Sequence, residues 1–136
     1  MPETRFADFL ATSLQALDRE LPQAYALLCT HLAGQQLAIE VDGEMVGLSF
    51  AGGRARLLAR AAPATVHVVT SRALIFDLID ARCTLLQAVL SDRLLVRGAP
   101  QELLAFHDGL LAYLHGAVRA PSFPPLLRAY RAAARP

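Results

Sequence analysis

The sequence of 136 residues contains no lysine, no asparagine and no tryptophan, and all 13 of its basic residues are arginine. Uniform arginine matches GC-rich codon usage. The formal net charge is +1, too small for a dedicated nucleic-acid binder, which concentrates basic residues on one face. Charge is nevertheless uneven: Met1 to Glu44 holds seven acids and two arginines, while Arg119, Arg128, Arg131 and Arg135 follow Asp108 with no further acid. No apolar run approaches the ~18–20 residues needed to span a bilayer. No apolar stretch follows Met1-Pro2-Glu3-Thr4-Arg5, as a secretory signal requires. The two cysteines, Cys29 and Cys83, fall in helical patterns and read as reduced thiols. These absences predict a cytoplasmic protein with no nucleic-acid partner and at most transient membrane contact.

Catalytic signatures are missing as well. Ser49 lies in Gly47-Leu48-Ser49-Phe50-Ala51, a strand pattern and not a nucleophile elbow. Gly52-Gly53 is not followed by Lys-Ser or Lys-Thr and reads as a turn. His31, His67, His107 and His115 form no pair at the spacing that chelates a metal. His31 stands two residues from Cys29 and points elsewhere on a helix, so it does not activate that thiol. The expectation is a protein that is not an enzyme and holds neither metal nor cofactor.

What the chain does have is apolar material. Hydrophobic residues make up 54% and charged residues 18%, against about 45–50% and about 25% in an ordinary soluble domain. The surplus implies an internal cavity, an oligomer interface or an exposed apolar patch.

Periodicity places that material. Phe6, Phe9, Leu10, Leu14 and Leu17 recur at helical spacing, and Pro22 opens a second helix striped by Tyr25, Leu28, Cys29 and Leu32. The period then becomes two. Asp42-Gly43 suits a two-residue hairpin, which pairs Val41 with Glu44, Ile39 with Val46 and Leu37 with Leu48. Arg54 to Arg60 gives a third strand, its arginines turned outward, and Thr65 to Thr70 a fourth.

Ser71 caps a helix whose Leu74, Ile75, Leu78 and Ile79 face one way. Thr84-Leu85-Leu86-Gln87 is a capping box for another short helix, burying Leu85 and Val89 with Leu86 and Leu90 beside them. Arg93 to Arg97 is a fifth strand, reached by a helical crossover. Pro100 opens a long helix with Leu103, His107, Leu110, Leu111, Leu114 and Val118 on one stripe. After Pro121 to Pro125, a last amphipathic helix spans about Leu126 to Ala134.

The order predicts one α+β domain over 1–136, with a five-stranded, mainly antiparallel sheet covered on one face by helices. Its parts are a helix pair over 1–34, a core over 36–118, and a Pro-rich connector with a final helix over 121–136. The apolar faces Leu74, Ile75, Leu78 and Ile79, Leu85 and Val89, and Leu103, Leu110 and Leu111 are expected to line one cavity. His107 adds a single polar group to it. The final helix is expected to close its mouth with Leu126, Leu127 and Tyr130, its Arg128, Arg131 and Arg135 facing outward.

The stretch Thr84 to Gly98, TLLQAVLSDRLLVRG, resembles the signature of the sterol carrier protein type-two family. Ala88, Arg93, Leu94, Val96 and Gly98 fall on the positions of that pattern. Pro63 to Ile79 resembles the family's fourth strand and following helix, and the turns at Asp42-Gly43 and Gly52-Gly53 match its meander. Two positions depart from the pattern: Asp92 stands where the family usually has glycine, and Ala81-Arg82 replaces a glycine-containing loop. The resemblance implies an apolar tunnel for fatty acyl, sterol-like or isoprenoid ligands, without a cofactor. Bacterial relatives imply an alternative, an accessory protein docking a partner in a quinone pathway. A ligand-free homodimer is a third reading of the apolar surplus.

Overall fold

The computed structural model describes residues 5–58 and 63–133. Arg60, expected on the third strand, and Arg135, expected on the last helix, lie outside the described residues.

Two helices come first, α1 (Phe6–Glu20) and α2 (Pro22–His31). Strands β1 (Gln36–Val41), β2 (Glu44–Ala51), β3 (Arg54–Leu58) and β4 (Val66–Thr70) follow, then α3 (Arg72–Ile79) and α4 (Leu85–Leu90). The chain ends with β5 (Leu95–Arg97), α5 (Pro100–Ala117) and α6 (Phe123–Ala133). The five strands lie in the order β3-β2-β1-β4-β5.

The hairpin has the expected register, with Leu37 opposite Leu48, Ile39 opposite Val46 and Val41 opposite Glu44. Asp42 and Gly43 take φ of 50° and 87°, the positive pair a type I′ turn requires. β4 runs parallel to β1 and antiparallel to β5, and all other pairs are antiparallel. The crossover therefore lies between β3 and β4, not around α3 and α4. Those helices are an excursion between two antiparallel neighbours.

One sheet face is covered. Val66 and Val68 are buried while His67 and Val69 are exposed, and Leu37, Val41, Val46, Leu48 and Phe50 are buried on the same side. The hairpin also anchors two helices. The Glu44 carboxylate accepts from the Phe6 and Ala7 amides at 2.9 and 3.0 Å, and Asp42 accepts from the Arg72 amide at 3.1 Å. Each carboxylate meets amides that have no partner within the helix, at the positive end of its dipole.

Helix α5 is rotated from the expected stripe. Its buried residues are Phe106, Gly109, Ala112, Gly116 and Ala117, whereas His107 and Val118 are exposed. The cause is close helix packing. A Cβ on Gly109 would lie 2.7 Å from Leu32 Cγ, and one on Gly116 would lie 2.6 Å from Leu17 Cδ1 and 2.9 Å from Ala24 Cβ. Small residues thus face α1 and α2, and the large aliphatic residues turn toward α3 and α4.

Helix α4 also departs from expectation. Its capping box forms, with Thr84 Oγ1 accepting from the Gln87 amide and Gln87 Oε1 from the Thr84 amide. The fully buried residue is Ala88, however, while Val89 is 47% exposed, Leu86 67% and Leu90 74%.

Helix α6 begins earlier than expected because Pro124 and Pro125 sit in its first turn, where a missing amide hydrogen costs nothing. It packs on α1. Tyr130 stacks on Phe9 with centroids 4.3 Å apart, and Phe76 meets Tyr130 edge-on at 5.6 Å. Arg131 does not project freely outward: it bonds Asp80 at 3.0 Å and lies 4.9 Å over Phe76.

Candidate functional site

The inner face of the sheet, α1, α2, α3 and α5 line a partly open apolar cavity of about 120 Å³. Its wall includes Leu37, Ile39, Leu48 and Phe50 from the sheet, Phe9 and Leu14 from α1, and Leu28 and Leu32 from α2. The sheet supplies every second residue because strand side chains alternate between faces.

Among the described residues, two hydroxyl-bearing side chains reach this wall, and both are engaged by the protein. Thr70 Oγ1 donates to the Arg93 carbonyl at 3.1 Å. The Tyr113 hydroxyl pairs with Ser13 Oγ at 2.6 Å, and Ser13 donates to the Leu10 carbonyl at 2.8 Å. Burial pushes the Tyr113 phenol up to about 12, opposed by its hydrogen bond with Ser13, so it stays neutral near pH 7. The chamber therefore offers a guest apolar surface and no free charge.

A second, open cleft of about 580 Å³ adjoins the first. It lies among the end of α3, the start of α4 and the second half of α5. Leu78, Ile79 and Leu114 line both spaces and form the partition between them. His107, His115, Thr84 and Cys83 supply the cleft's polar groups.

The residues expected at one cavity divide between the two spaces. Leu74, Ile75, Leu78, Ile79 and Leu110 line the inner chamber. Leu85, His107 and Leu111 line the cleft, which Leu78 and Ile79 share. His107 bonds Asp108 at 3.1 Å and stands in solvent at the rim. Val89 and Leu103 line neither space. Val89 points outward because Ala88 is the residue α4 buries, and Leu103 sits beside Gly98.

Leu126, Leu127 and Tyr130 line neither space, so α6 does not close a mouth. Tyr130 instead backs Phe9, whose ring is part of the chamber wall. Helices α1 and α2, expected outside the core, both contribute to the chamber wall. Their stripes at Phe6, Phe9, Leu10 and Leu14, and at Leu28 and Leu32, carried the signal.

Among the described residues, no group of three or more His, Cys, Asp or Glu side chains is placed to hold a metal ion. Cys29 is buried, and desolvation pushes its thiol up, away from the reactive thiolate. No described helix is long and apolar enough to cross a membrane.

The geometry has counterparts among solved structures. One titled UbiJ-SCP2 ubiquinone synthesis protein is 24% identical, with a TM-score of 0.57, covering 81% of this chain and 96% of its own. A sterol carrier protein domain of Helicoverpa armigera is 12% identical with a TM-score of 0.60, covering 83% and 95%. A Thermus thermophilus protein described as possibly a sterol carrier protein is 19% identical with a TM-score of 0.54, covering 82% and 90%. No family model matches the sequence, and no curated protein matches it. The five-stranded sheet with helices over one face is thus the sterol carrier protein 2 fold. This is the architecture that the pattern from Thr84 to Gly98 implied.

Proposed function

We propose that this chain binds and carries a hydrophobic molecule without acting on it. The observation that carries this reading is the apolar chamber between sheet and helices, adjoining a wider cleft. Its guests are fatty acyl chains, sterol-like molecules or isoprenoids, held by apolar area removed from water at ~25 cal/mol per Å². Leu74, Ile75, Leu78, Ile79 and Leu110 form the inner contact; Leu85, His107 and Leu111 form the outer one.

The chamber of about 120 Å³ is smaller than the roughly 300–1,000 Å³ of a pocket for a drug-sized ligand. A long chain therefore enters by displacing Leu78, Ile79 and Leu114, merging chamber and cleft. Carriage needs no acid, base or nucleophile, and the hydroxyls at the chamber are already bonded within the protein. We assign the chain to the cytoplasm, where its cysteines stay reduced.

The test is saturable binding of a fluorescent long-chain fatty acid to the full chain, with displacement by unlabelled fatty acid, sterol and polyprenol. Leu110→Trp should fill the chamber and lower affinity at least tenfold, while Leu27→Trp, on an exposed position of α2, should not. Absence of saturable binding for all three ligand classes overturns the reading.

The second reading is an accessory protein that docks a partner acting on a quinone precursor. The likeness to the UbiJ-SCP2 ubiquinone synthesis protein favours it. A carrier retains bound lipid in native mass spectrometry after purification; an accessory protein, or a homodimer closed on its apolar surface, is recovered empty.

A further inference from the structure

We infer that α4 and the rim of the neighbouring cleft form a docking surface for anionic lipid membranes. Nine large apolar side chains stand exposed among the described residues, and four of them, Leu86, Val89, Leu90 and Val118, belong to this one region. Leu86, Val89 and Leu90 share one face of α4 by their three- and four-residue spacing. Leu86 and Val118 line the same cleft, which joins the helix face to the rim.

The small apolar area of α4 favours a lipid surface over a protein. Helix α4 has six residues, and beyond Leu86 at the cleft its exposed Val89 and Leu90 line neither chamber nor cleft. A stable protein interface needs roughly 600 Å² from each partner, which three aliphatic side chains on so short a helix do not provide. A bilayer interface takes up so small an apolar face when cations beside it meet anionic lipid.

The charges point the same way. Arg82 precedes Cys83 on the cleft wall, and Arg119 follows Val118. Both arginines are exposed, and neither has a carboxylate within ion-pair distance among the described residues. The nearby acids Asp77 and Asp80 are paired with Arg93 and Arg131, and Asp108 lies against His107. Asp92, exposed two residues beyond Leu90, is the acid that follows α4 and sets one negative charge against the two arginines. The cleft end therefore presents apolar side chains flanked by two unpaired cations, the combination that selects an anionic bilayer.

Docking this way would set the cleft mouth against the membrane, so that a lipid passes toward Leu78 and Leu114 without crossing water. That consequence rests on the carrier reading; membrane docking itself does not. The absence of tryptophan from the sequence gives a clean reporter. Leu90→Trp, at an exposed position, introduces a single indole.

Its emission should shift to the blue on phosphatidylcholine vesicles containing phosphatidylglycerol, and brominated lipid should quench it. Vesicles of phosphatidylcholine alone should act more weakly. In flotation, Leu86→Ser should lower vesicle partitioning about tenfold, the equivalent of ~1.4 kcal/mol. Arg82→Gln should lower it about fivefold, an effect that added salt removes.

Unchanged melting temperatures and circular dichroism show that these variants fold. The inference is overturned if emission ignores both vesicle types, or if it shifts with protein concentration alone, which would mark a second copy as the occupant. Vesicle binding without fatty-acid binding in solution leaves the docking surface standing and removes the carrier reading. The reverse pair of results removes the docking surface.

Discussion

Helix α5 separates two unlike halves of this molecule. Toward α1, α2 and α6 the packing is dense. Gly109 and Gly116 let backbones approach, and Phe9, Phe123 and Tyr130 fill the space behind them with ring centroids 4.3 and 5.9 Å apart. Toward α3 and α4 the same helix presents Leu111, Leu114 and Val118 to an open cleft. The short helix opposite buries only Ala88 fully. One half spends its apolar side chains on rigidity, while the other leaves them partly unmatched beside a chamber. The proposed carrier role would use both, a fixed wall and a yielding one, and local stability in a fold is commonly uneven in this way.

Tyr130 is the side chain whose loss should separate the two halves most. This ring is completely buried between Phe9, Phe76 and the Arg72 guanidinium, 5.0 Å from its centroid. Its hydroxyl has no hydrogen-bonding partner at bonding geometry among the described residues, and burial pushes the phenol up to about 12, opposed by Arg72. Tyr130→Ala should cost ~3–5 kcal/mol in urea unfolding, as large aromatic deletions do. Tyr130→Phe keeps the stack and should stay within ~1 kcal/mol of the parent. Leu90→Ala on α4 should stay within ~0.5 kcal/mol, being an exposed substitution. Equal costs for Tyr130→Ala and Leu90→Ala would erase the distinction between the halves.

Gly116 sharpens the same contrast within one helix. Leu17 could rotate away from an added methyl group, but Ala24 Cβ cannot. Gly116→Val should destabilise by ~2–3 kcal/mol through overpacking. Gly116→Ala should cost less, because alanine recovers ~1 kcal/mol of helix propensity. On the opposite side of α5, Leu111→Met should cost under ~1.5 kcal/mol, a volume-conserving change at a cleft. A tolerant Gly116 would mean that α5 and α2 are not in close contact.

The dense half should also be the acid-sensitive one. Glu20 at the end of α1 accepts hydrogen bonds from both the amide and the hydroxyl of Ser122, just before α6. Those bonds, with Arg19 as a lesser influence, hold its carboxyl below the ordinary glutamate value. A folded-state value below the unfolded one contributes stability above the unfolded pKa and loses it as pH falls. The α1–α6 contact should therefore weaken from about pH 4.3 downward, while α4 shows no such change. Hydrogen exchange of α6 amides against pH reads this, and Glu20→Gln should flatten the profile. Acid protection lost from α4 before α6 would reverse the assignment.

What the sequence revealed follows the same division. The Asp42-Gly43 hairpin and the Thr84 capping box were legible because each rests on a few adjacent residues with demanding local geometry. The strand register followed from alternation, and it correctly brought Leu37, Ile39 and Val41 to the covered face. Helix α5 departs from its expected stripe because small residues, not the large apolar ones, form its face against α1 and α2. Glycine and alanine carry little hydrophobic signal, although close helix packing needs them. Consequently Leu110 reaches the inner chamber, whereas Leu111 and His107 reach only the cleft and Leu103 reaches neither. Helix α4 is six residues long, less than two turns, so two apolar faces fit its sequence equally well. Only tertiary packing chooses Ala88 over Val89.

The smallest expected effect concerns the two positions where the sequence departs from the resembled pattern, both in the loosely packed half. Asp92 and Ala81 have φ of 60° and 59°, the left-handed region that glycine enters without penalty. Both turns thus take the glycine-type backbone geometry without a glycine. Alanine has no side-chain group to compensate for the crowding of its Cβ, which costs roughly 1–2 kcal/mol in this conformation. Aspartate tolerates it better, because its short polar side chain can bond locally. Ala81→Gly should therefore stabilise the protein by about 1 kcal/mol, after allowing for the greater freedom glycine gives the unfolded chain. Asp92→Gly should gain less than Ala81→Gly. Equilibrium unfolding of the two single variants and the double variant measures both gains. These turns flank α4 at either end, and relieving them should raise its exchange protection without changing that of α6. A gain shared equally by α4 and α6 would show that the open half does not unfold apart from the dense one.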